Sequence, residues 1–359
     1  MTNTLSAKQS RNVFIDIIKA FAIILVVIGH CIQYGAGNNF LQEKLFFDNN
    51  IFKIIYSFHM PLLMLISGYL FAYGRNKSIK DVFIGRFKRL VIPILCWNII
   101  PITHHIIQLV INSNFSTLAA IKYIIEYNIG SFWFLWAVFG CSCIIILVNK
   151  LCNDNLLVYA TLFLITFVIP DDFNLHLYKY MYPFFLAGYF YNKKNLKEKW
   201  KNIYNKKYVA ISLATLFLIL LQFSNRDSYI YTSGYTLLER DWTAQLGIDL
   251  YRFVIGFVGS AFAIVSLYRI YNIAKVREWI ANSGILLTIG QNTMGIYIIS
   301  TFINTLILMV VTKPLAGINY GLIIIETAGV TALSLLITKA IQRSRFLNKY
   351  LLGHYKRIG

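Results

Sequence analysis

Long apolar segments recur along the whole chain and constrain its fold more than any other feature. A membrane-crossing helix needs about 20 apolar residues, and a backbone inside lipid must pair its polar groups internally, which favours helices. The sequence therefore predicts an all-α, polytopic integral membrane protein with about ten transmembrane helices. The ten segments lie at residues 12–34, 51–73, 90–111, 131–149, 155–170, 180–192, 207–224, 247–270, 285–312 and 318–340.

Charge supports this interpretation and orients the chain. Hydrophobic residues make up 57% of the sequence and charged residues 14%, while the net charge is +19. The basic residues stand in short clusters between apolar segments, so they indicate membrane orientation and no nucleic-acid partner. With the N-terminus inside, the inner loops and tail hold 25 of the 34 basic residues and the outer side eight. We therefore expect both termini in the cytoplasm.

The chain shows no sign of a second domain. Segments 155–170 and 180–192 are the weakest, since Pro170 ends the first and Pro183 is expected to interrupt the second. The first segment is too long for a cleavable signal and contains charges, so it is expected to stay as a helix. The five cysteines predict neither a disulfide framework nor a metal site. Residues 1–359 are expected to form a single transmembrane domain.

The first segment carries three ionisable residues, Asp16, Lys19 and His30. On a helix, Lys19 and His30 differ by about 20° around the axis and lie about 16 Å apart along it, with Asp16 near the same stripe. Charges inside a membrane segment are costly and usually face a protein-lined cavity. The alternative is an Asp16–Lys19 pair that aligns the bundle, with His30 hydrogen-bonded in the core.

The second segment begins with another histidine, in the stretch SFHMPLLMLISGYLF. Because this helix runs inward, His59 near its start and His30 near the end of the first helix would share the outer half of the membrane. The two imidazoles would then face one cavity. A polar helix-end residue at the interface is the alternative for His59.

The sequence resembles the acyltransferase 3 family of membrane acyltransferases. The resemblance rests on Lys19 and His30 with ten residues between them, and on four later motifs in the usual order. These are FHMPLLMLISGYLF from Phe58, RFKRLVIPILCW from Arg86, FWFLWAV from Phe132 and IGQNTMGIYIIS from Ile289. The chain departs from the family in having Lys19 where Arg is commoner, and Ser300 where many members have His. No appended SGNH domain is expected.

The resemblance implies transfer of an acyl group, usually acetyl, from cytoplasmic acyl-CoA (acetyl-CoA) to a hydroxyl of a surface glycan or glycan–lipid precursor. The expected location is a bacterial cytoplasmic membrane. Lys19, Arg86 and Arg89 are the cations expected to bind the CoA phosphates. His30, helped by His59, would take the proton of the sugar hydroxyl or carry the acyl group; both routes stay open.

Three further residues each have a structural and a functional interpretation. Arg252 either pairs with Asp249 one turn earlier or lines the site. Glu326, a carboxylate in the middle of the last segment, either lines the cavity or helps helices to pack. Trp133 belongs either to an interfacial aromatic belt or to a sugar platform. His354, in the basic tail, is expected to be cytosolic and inert.

A different class of function also fits the intramembrane charges. A glycan–lipid transporter or flippase would carry such residues and broken helices without any acyl transfer. That function predicts interrupted segments in two corresponding halves of the chain, and the sequence shows no such symmetry. The membrane acyltransferase is therefore the favoured interpretation.

Overall fold

The computed structural model describes residues 12–34, 45–113, 115–310 and 320–355, and within these ranges the chain is helical and has no strand. The helices are α1 (Val13–Tyr34), α2 (Asn50–Phe71), α3 (Ile79–Arg86), α4 (Ile92–Ile111), α5 (Thr117–Gly130), α6 (Trp133–Leu151), α7 (Leu156–Thr166), α8 (Leu175–Lys193), α9 (Leu196–Tyr204), α10 (Lys207–Gln222), α11 (Ile230–Ser233), α12 (Trp242–Tyr271), α13 (Ala274–Ser283), α14 (Ile285–Gln291), α15 (Thr293–Val310), α16 (Tyr320–Arg343) and α17 (Arg345–Leu351). A π-helical turn, Phe87–Val91, joins α3 to α4.

The all-helical membrane class is confirmed. Fewer helices than the predicted ten meet the length and hydropathy expected of a membrane span. Among the described residues, six helices are long and apolar enough to cross a membrane, or seven if the bent pair α14–α15 forms one span. Each of the ten apolar segments nevertheless overlaps a helix. The shorter apolar helices α7 and α10 have 11 and 16 residues. Ten spans with both termini inside stays a prediction. The six are Val13–Tyr34, Asn50–Gly74, Ile79–Ile111, Trp133–Leu151, Trp242–Tyr271 and Tyr320–Arg343.

Two segments differ from the sequence prediction. Pro183 does not interrupt its segment, because α8 runs through it from Leu175 to Lys193. A proline removes one backbone donor, and a helix held by its neighbours tolerates that loss. The segment 285–312, which looks continuous, is instead bent by 82° at Asn292. There the Asn292 side chain donates to the Thr288 carbonyl and accepts from Gln342 of α16, at 2.7 and 2.6 Å.

Helices α2 and α8 cross through a reciprocal glycine contact. A Cβ on Gly68 would fall 1.9 Å from the carbonyl oxygen of Phe185, and a Cβ on Gly188 would fall 1.9 Å from that of Leu65. No side chain fits at these distances, so both positions require glycine. The backbones therefore meet directly, as small residues allow in membrane helix pairs.

Helix α1 lies at the centre of the bundle and packs against α2, α14, α15 and α16. Two more glycines bring it close to its neighbours: a Cβ on Gly29 would fall 2.7 Å from the Tyr56 ring, and one on Gly290 would fall 1.9 Å from the Asp16 carbonyl oxygen. We call the end of the bundle where α1 begins the basic end. The end where α1 finishes and α2 begins is the histidine end.

A buried carboxylate ties three helices together at the basic end. Asp154, in the turn between α6 and α7, accepts hydrogen bonds from Tyr159 at 2.5 Å, Asn149 at 2.6 Å and Tyr189 at 2.9 Å, and it pairs with Lys193. Burial opposes its ionisation, but these hydrogen bonds outweigh that effect and hold the pKa of the carboxyl below its usual value. The charged form is therefore part of the fold.

Candidate functional site

The two predicted histidines meet at the histidine end. His30 is half-buried near the end of α1, and its ring lies edge-on to Tyr34 with 5.8 Å between centroids. The two imidazoles are close enough for a charge on His30 to act on His59. Antiparallel packing of α1 and α2 places them at the same depth, as the sequence predicts.

Hydrogen bonding distinguishes the two rings. The His59 Nδ1 lies 2.7 Å from the Ile55 carbonyl oxygen, which can only accept, so this nitrogen carries a proton and donates. In the neutral ring, Nε2 then keeps its lone pair. The His30 Nδ1 is buried and has no hydrogen-bond partner within the described ranges. An unsatisfied buried polar atom is rare and usually marks strain, catalysis or an absent ligand.

Aromatic side chains surround the histidines. The Tyr56 ring stacks on Phe52 at 3.7 Å and lies 4.8 Å from the His59 ring, while its hydroxyl donates to Gln33 at 3.0 Å. The Tyr231 ring is 6.4 Å from that of Tyr56. This tyrosine belongs to the short helix α11, in the connection between α10 and α12, so that connection folds inward over the helix ends.

Trp133 lies within the same group of rings. Its side chain lies close to that of Tyr231, and Tyr34 and Tyr297 are near enough to interact electrostatically with Tyr231 or Tyr56. Tyr231 still exposes 49% of its surface. We call Tyr34, Tyr56, Trp133, Tyr231 and Tyr297 the aromatic wall. It offers flat apolar faces together with hydroxyl and N–H groups, which suits an amphipathic ligand.

Arg252 holds the loop that supplies Tyr231. The side chain is 2% exposed, and it forms an ion pair with Asp249, 0% exposed, at 2.7 Å. Its other hydrogen bonds go to carbonyls of residues 227–234 and to the Ser233 hydroxyl. All five N–H donors are thereby used within the protein. The structure thus shows the predicted pair with Asp249. Arg252 also holds the segment 227–234, and with it Tyr231 of the aromatic wall.

A second buried ion pair fixes the other side of this loop. Asp171 pairs with Lys179 of α8 at 2.6 Å and accepts from the backbone N–H groups of Tyr235 and Thr236 at 2.6 and 3.0 Å. The loop from 226 to 236 is therefore held by charges on both α8 and α12. These contacts restrict the motion of residues 226–236 and give Tyr231 a defined position.

The cations predicted to bind the donor lie toward the basic end. Lys19 forms an ion pair with Asp16 at 3.5 Å, as the structural alternative requires. The Arg86 guanidinium lies 5.0 Å above the Phe71 ring, and it is near enough to Arg89 for the two charges to interact. Arg86 and Arg89 are thus brought together. Their role in binding stays a prediction.

Glu326 approaches the histidine end from α16. It lies near Cys31, the residue after His30, and Cys31 also contacts Thr327 and the Asn304 side chain, the latter at 3.9 Å. Ser300, which replaces the late histidine, is 0% exposed and donates to the Tyr297 carbonyl at 3.2 Å. Within the described ranges, no three His, Cys, Asp or Glu side chains form a group suited to a metal ion.

Comparison with known proteins gives one family and two relatives. The sequence matches the family described as "Acyltransferase domain" over residues 12–341. It is 26% identical over 301 residues to nodulation protein NolL of Mesorhizobium japonicum, and the aligned region covers 81% of this chain and 76% of the relative. The same protein of Sinorhizobium fredii is 26% identical over 302 residues, covering 81% and 77%. No solved structure matches the sequence significantly.

Proposed function

The chain belongs to this acyltransferase family, and from that premise we propose that it transfers an acyl group, in the first instance acetyl, from cytoplasmic acyl-CoA to a hydroxyl of a cell-surface glycan or glycan–lipid precursor. The membrane would be the bacterial cytoplasmic membrane, with the basic end inside. The observation that carries the proposal is the meeting of His30 and His59 beneath the aromatic wall.

The donor and the acceptor would approach from opposite ends. The basic end offers cations for the CoA phosphates, while His30 lies about 16 Å further along α1 than Lys19. The thioester would therefore reach the histidines from below, and the acceptor sugar would lie against the aromatic wall. Aromatic faces pack against the apolar face of a sugar ring, and the wall's hydroxyl and N–H groups can bond its hydroxyls.

The chemical step needs a base at the acceptor hydroxyl. We propose that His30 removes this proton as the oxygen attacks the thioester carbonyl; the C–S bond then breaks and the proton passes to the CoA sulfur. In the second route His30 itself attacks the thioester carbonyl and the C–S bond breaks, so that CoA leaves as a thiolate; the acceptor hydroxyl then takes the acyl group from the imidazole, and its proton passes to the CoA sulfur. In both routes His59, fixed by Ile55, would hold its Nε2 beside the reacting groups.

A label-transfer assay tests the proposal. Vesicles containing the protein are given acetyl-CoA with a labelled acetyl group and a glycan acceptor, and label in the glycan is counted. His30→Ala should lower transfer by about 10²- to 10⁴-fold, the usual contribution of a general base. His104→Ala is the matched control, because that exposed histidine of α4 lies outside the site. Full activity of His30→Ala would refute the mechanism.

The same assay separates the two chemical routes. Without any acceptor, label on the protein that disappears in His30→Ala indicates an acyl-histidine intermediate. Transfer without such label indicates direct attack with His30 as base. Export of unlabelled glycan with no label transfer at all would instead support a transporter.

A further inference from the structure

The C-terminal tail is docked into the basic end. After α16 the chain turns into α17, and the Leu351 carbonyl accepts a hydrogen bond from the Trp97 indole of α4 at 3.0 Å. Leu352 is 3% exposed and packs with Ile299 and Ile341. The tail is therefore a structural part of the bundle.

One glycine sets the course of the tail beside Arg89. Gly353 has φ = +63°, and a Cβ at this position would fall 2.5 Å from the Arg89 carbonyl oxygen. Glycine is thus required both by the backbone conformation and by the close approach. His354 follows directly; partial burial and then the positive charge of Arg89 hold the pKa of its imidazole below the usual value.

The docked tail gathers positive charge around an aromatic ring. The Lys88 and Lys349 ammonium groups lie 5.6 and 5.3 Å from the centroid of the Tyr355 ring, and Lys349 is also 4.9 Å from that of Tyr350. We call Lys88, Arg89, Lys349 and the two tyrosines the tail cluster. None of its three cations joins an ion pair among the described residues.

Two features of the tail cluster suit it to bind an anion. Cations held together without a carboxylate repel one another, and an anionic ligand relieves that repulsion. Independently, the Tyr355 hydroxyl is buried and lacks a hydrogen-bond partner in the part of the chain that the structure describes. A phosphate group would both accept from this hydroxyl and neutralise the ammonium groups.

The tail cluster is also connected to the aromatic wall. Trp97, which bonds the tail, lies 5.3 Å from Phe302 of α15; Phe302 lies 5.9 Å from Phe132, and Phe132 lies 6.2 Å from Tyr297. These ring contacts run continuously from the tail to the wall around the histidines. The tail is therefore packed against the same core that carries the aromatic wall, in which Phe132 and Tyr297 are each 8% exposed.

We propose that the C-terminal tail completes the donor site, with Lys349, Lys88 and Arg89 binding phosphate groups of acyl-CoA and Tyr355 donating to one of them. This inference rests on the proposed function, and it adds the tail to the residues expected from the sequence. The phosphate of an anionic lipid has the same chemistry, so the experiment must distinguish the two sources.

Direct binding tests the proposal without any acyl transfer. The full-length protein in nanodiscs of uncharged lipid is titrated with labelled CoA and with 3′-dephospho-CoA. Lys349→Gln should weaken CoA binding by about five- to tenfold, the loss expected for one charge-assisted contact. Lys349→Arg should bind nearly as well as the wild type. Lys275→Gln, which alters an exposed lysine of α13 outside the cluster, is the control and should bind normally.

Gly353→Ala gives a second, independent variant. It keeps every charge but displaces the tail from Arg89, so it should weaken CoA binding like Lys349→Gln. If Lys349 contacts the 3′-phosphate, the wild type should bind CoA more tightly than dephospho-CoA, and this difference in affinity should be smaller in Lys349→Gln.

Three results would overturn the proposal. One is wild-type CoA binding by both Lys349→Gln and Gly353→Ala. Another is unchanged CoA binding with a selective loss of binding to anionic lipid in Lys349→Gln, which would assign the cluster to a lipid headgroup. The last is an equal loss in the Lys275→Gln control. The proposed function is tested separately, because His30→Ala should bind CoA normally while failing to transfer acetyl.

Discussion

Removing the Arg252 guanidinium should destabilise the protein more than any exposed charge change. Arg252→Met leaves the Asp249 carboxylate buried without its cation and the carbonyls of residues 227–234 without their donors. Breaking a buried ion pair by deleting one partner costs about 3–5 kcal/mol. We expect a loss of that size in the free energy of unfolding, together with a loosened Tyr231 loop.

Reversible unfolding in mixed micelles measures the loss, and limited proteolysis between residues 226 and 240 reports the loop. The control is Arg240→Met, whose ion pair with Asp227 at 3.6 Å is exposed and should contribute at most about 1 kcal/mol. The double variant Arg252→Met with Asp249→Asn should recover part of the stability, because the unpaired charge is gone. If Arg252→Met is as stable as Arg240→Met, the reasoning is refuted.

Four further predictions concern the site, the orientation and the fold. Lys19→Arg should retain most activity, whereas Lys19→Met should raise the donor KM with kcat nearly unchanged; a collapsed kcat at unaltered KM would make Lys19 catalytic. His59→Ala should lower kcat at normal abundance and leave CoA binding intact, and unchanged kcat in steady-state kinetics would exclude a catalytic role. In a cysteine-free background, a cysteine at Thr232 should react with an impermeant thiol reagent from outside and one at Asn202 should not; the reverse labelling would invert the topology. The folded-state pKa of Asp154 is lowered, so the stability that this carboxylate contributes is present above about pH 4 and is lost as pH falls through the folded-state pKa. The free energy of unfolding of Asp154→Asn should therefore depend less on pH below about pH 4 than that of the wild type. An unchanged pH dependence would contradict the role given to Asp154.

The sequence predicts the helices well where hydropathy alone determines them. Every apolar segment overlaps a helix, since a chain in lipid has few other ways to pair its backbone. The bend at Asn292 could not be predicted, because it depends on side-chain partners such as Gln342. The course of α8 through Pro183 was likewise hidden, because packing against α2 decides it.

The candidate site was predictable only in part. Helix geometry alone brings His30 and His59 to one depth, because α1 and α2 are consecutive and antiparallel. Tyr231 could not be found, since a buried arginine draws its loop inward and no local pattern reveals that. The docking of the tail could not be predicted for a similar reason: a run of basic residues reports charge, while the docking depends on the distant Trp97.

The reciprocal glycine contact between α2 and α8 limits how this protein can move. A slide of one helix along the other would bring Ser67 or Tyr69 to a place where even one Cβ carbon would lie 1.9 Å from a carbonyl oxygen. The register is therefore locked, and His59 rides on a rigid pair of helices. Alternating-access carriers rock one bundle against another. In any such motion α2 and α8 would have to move together, so His59 would keep its position relative to α8.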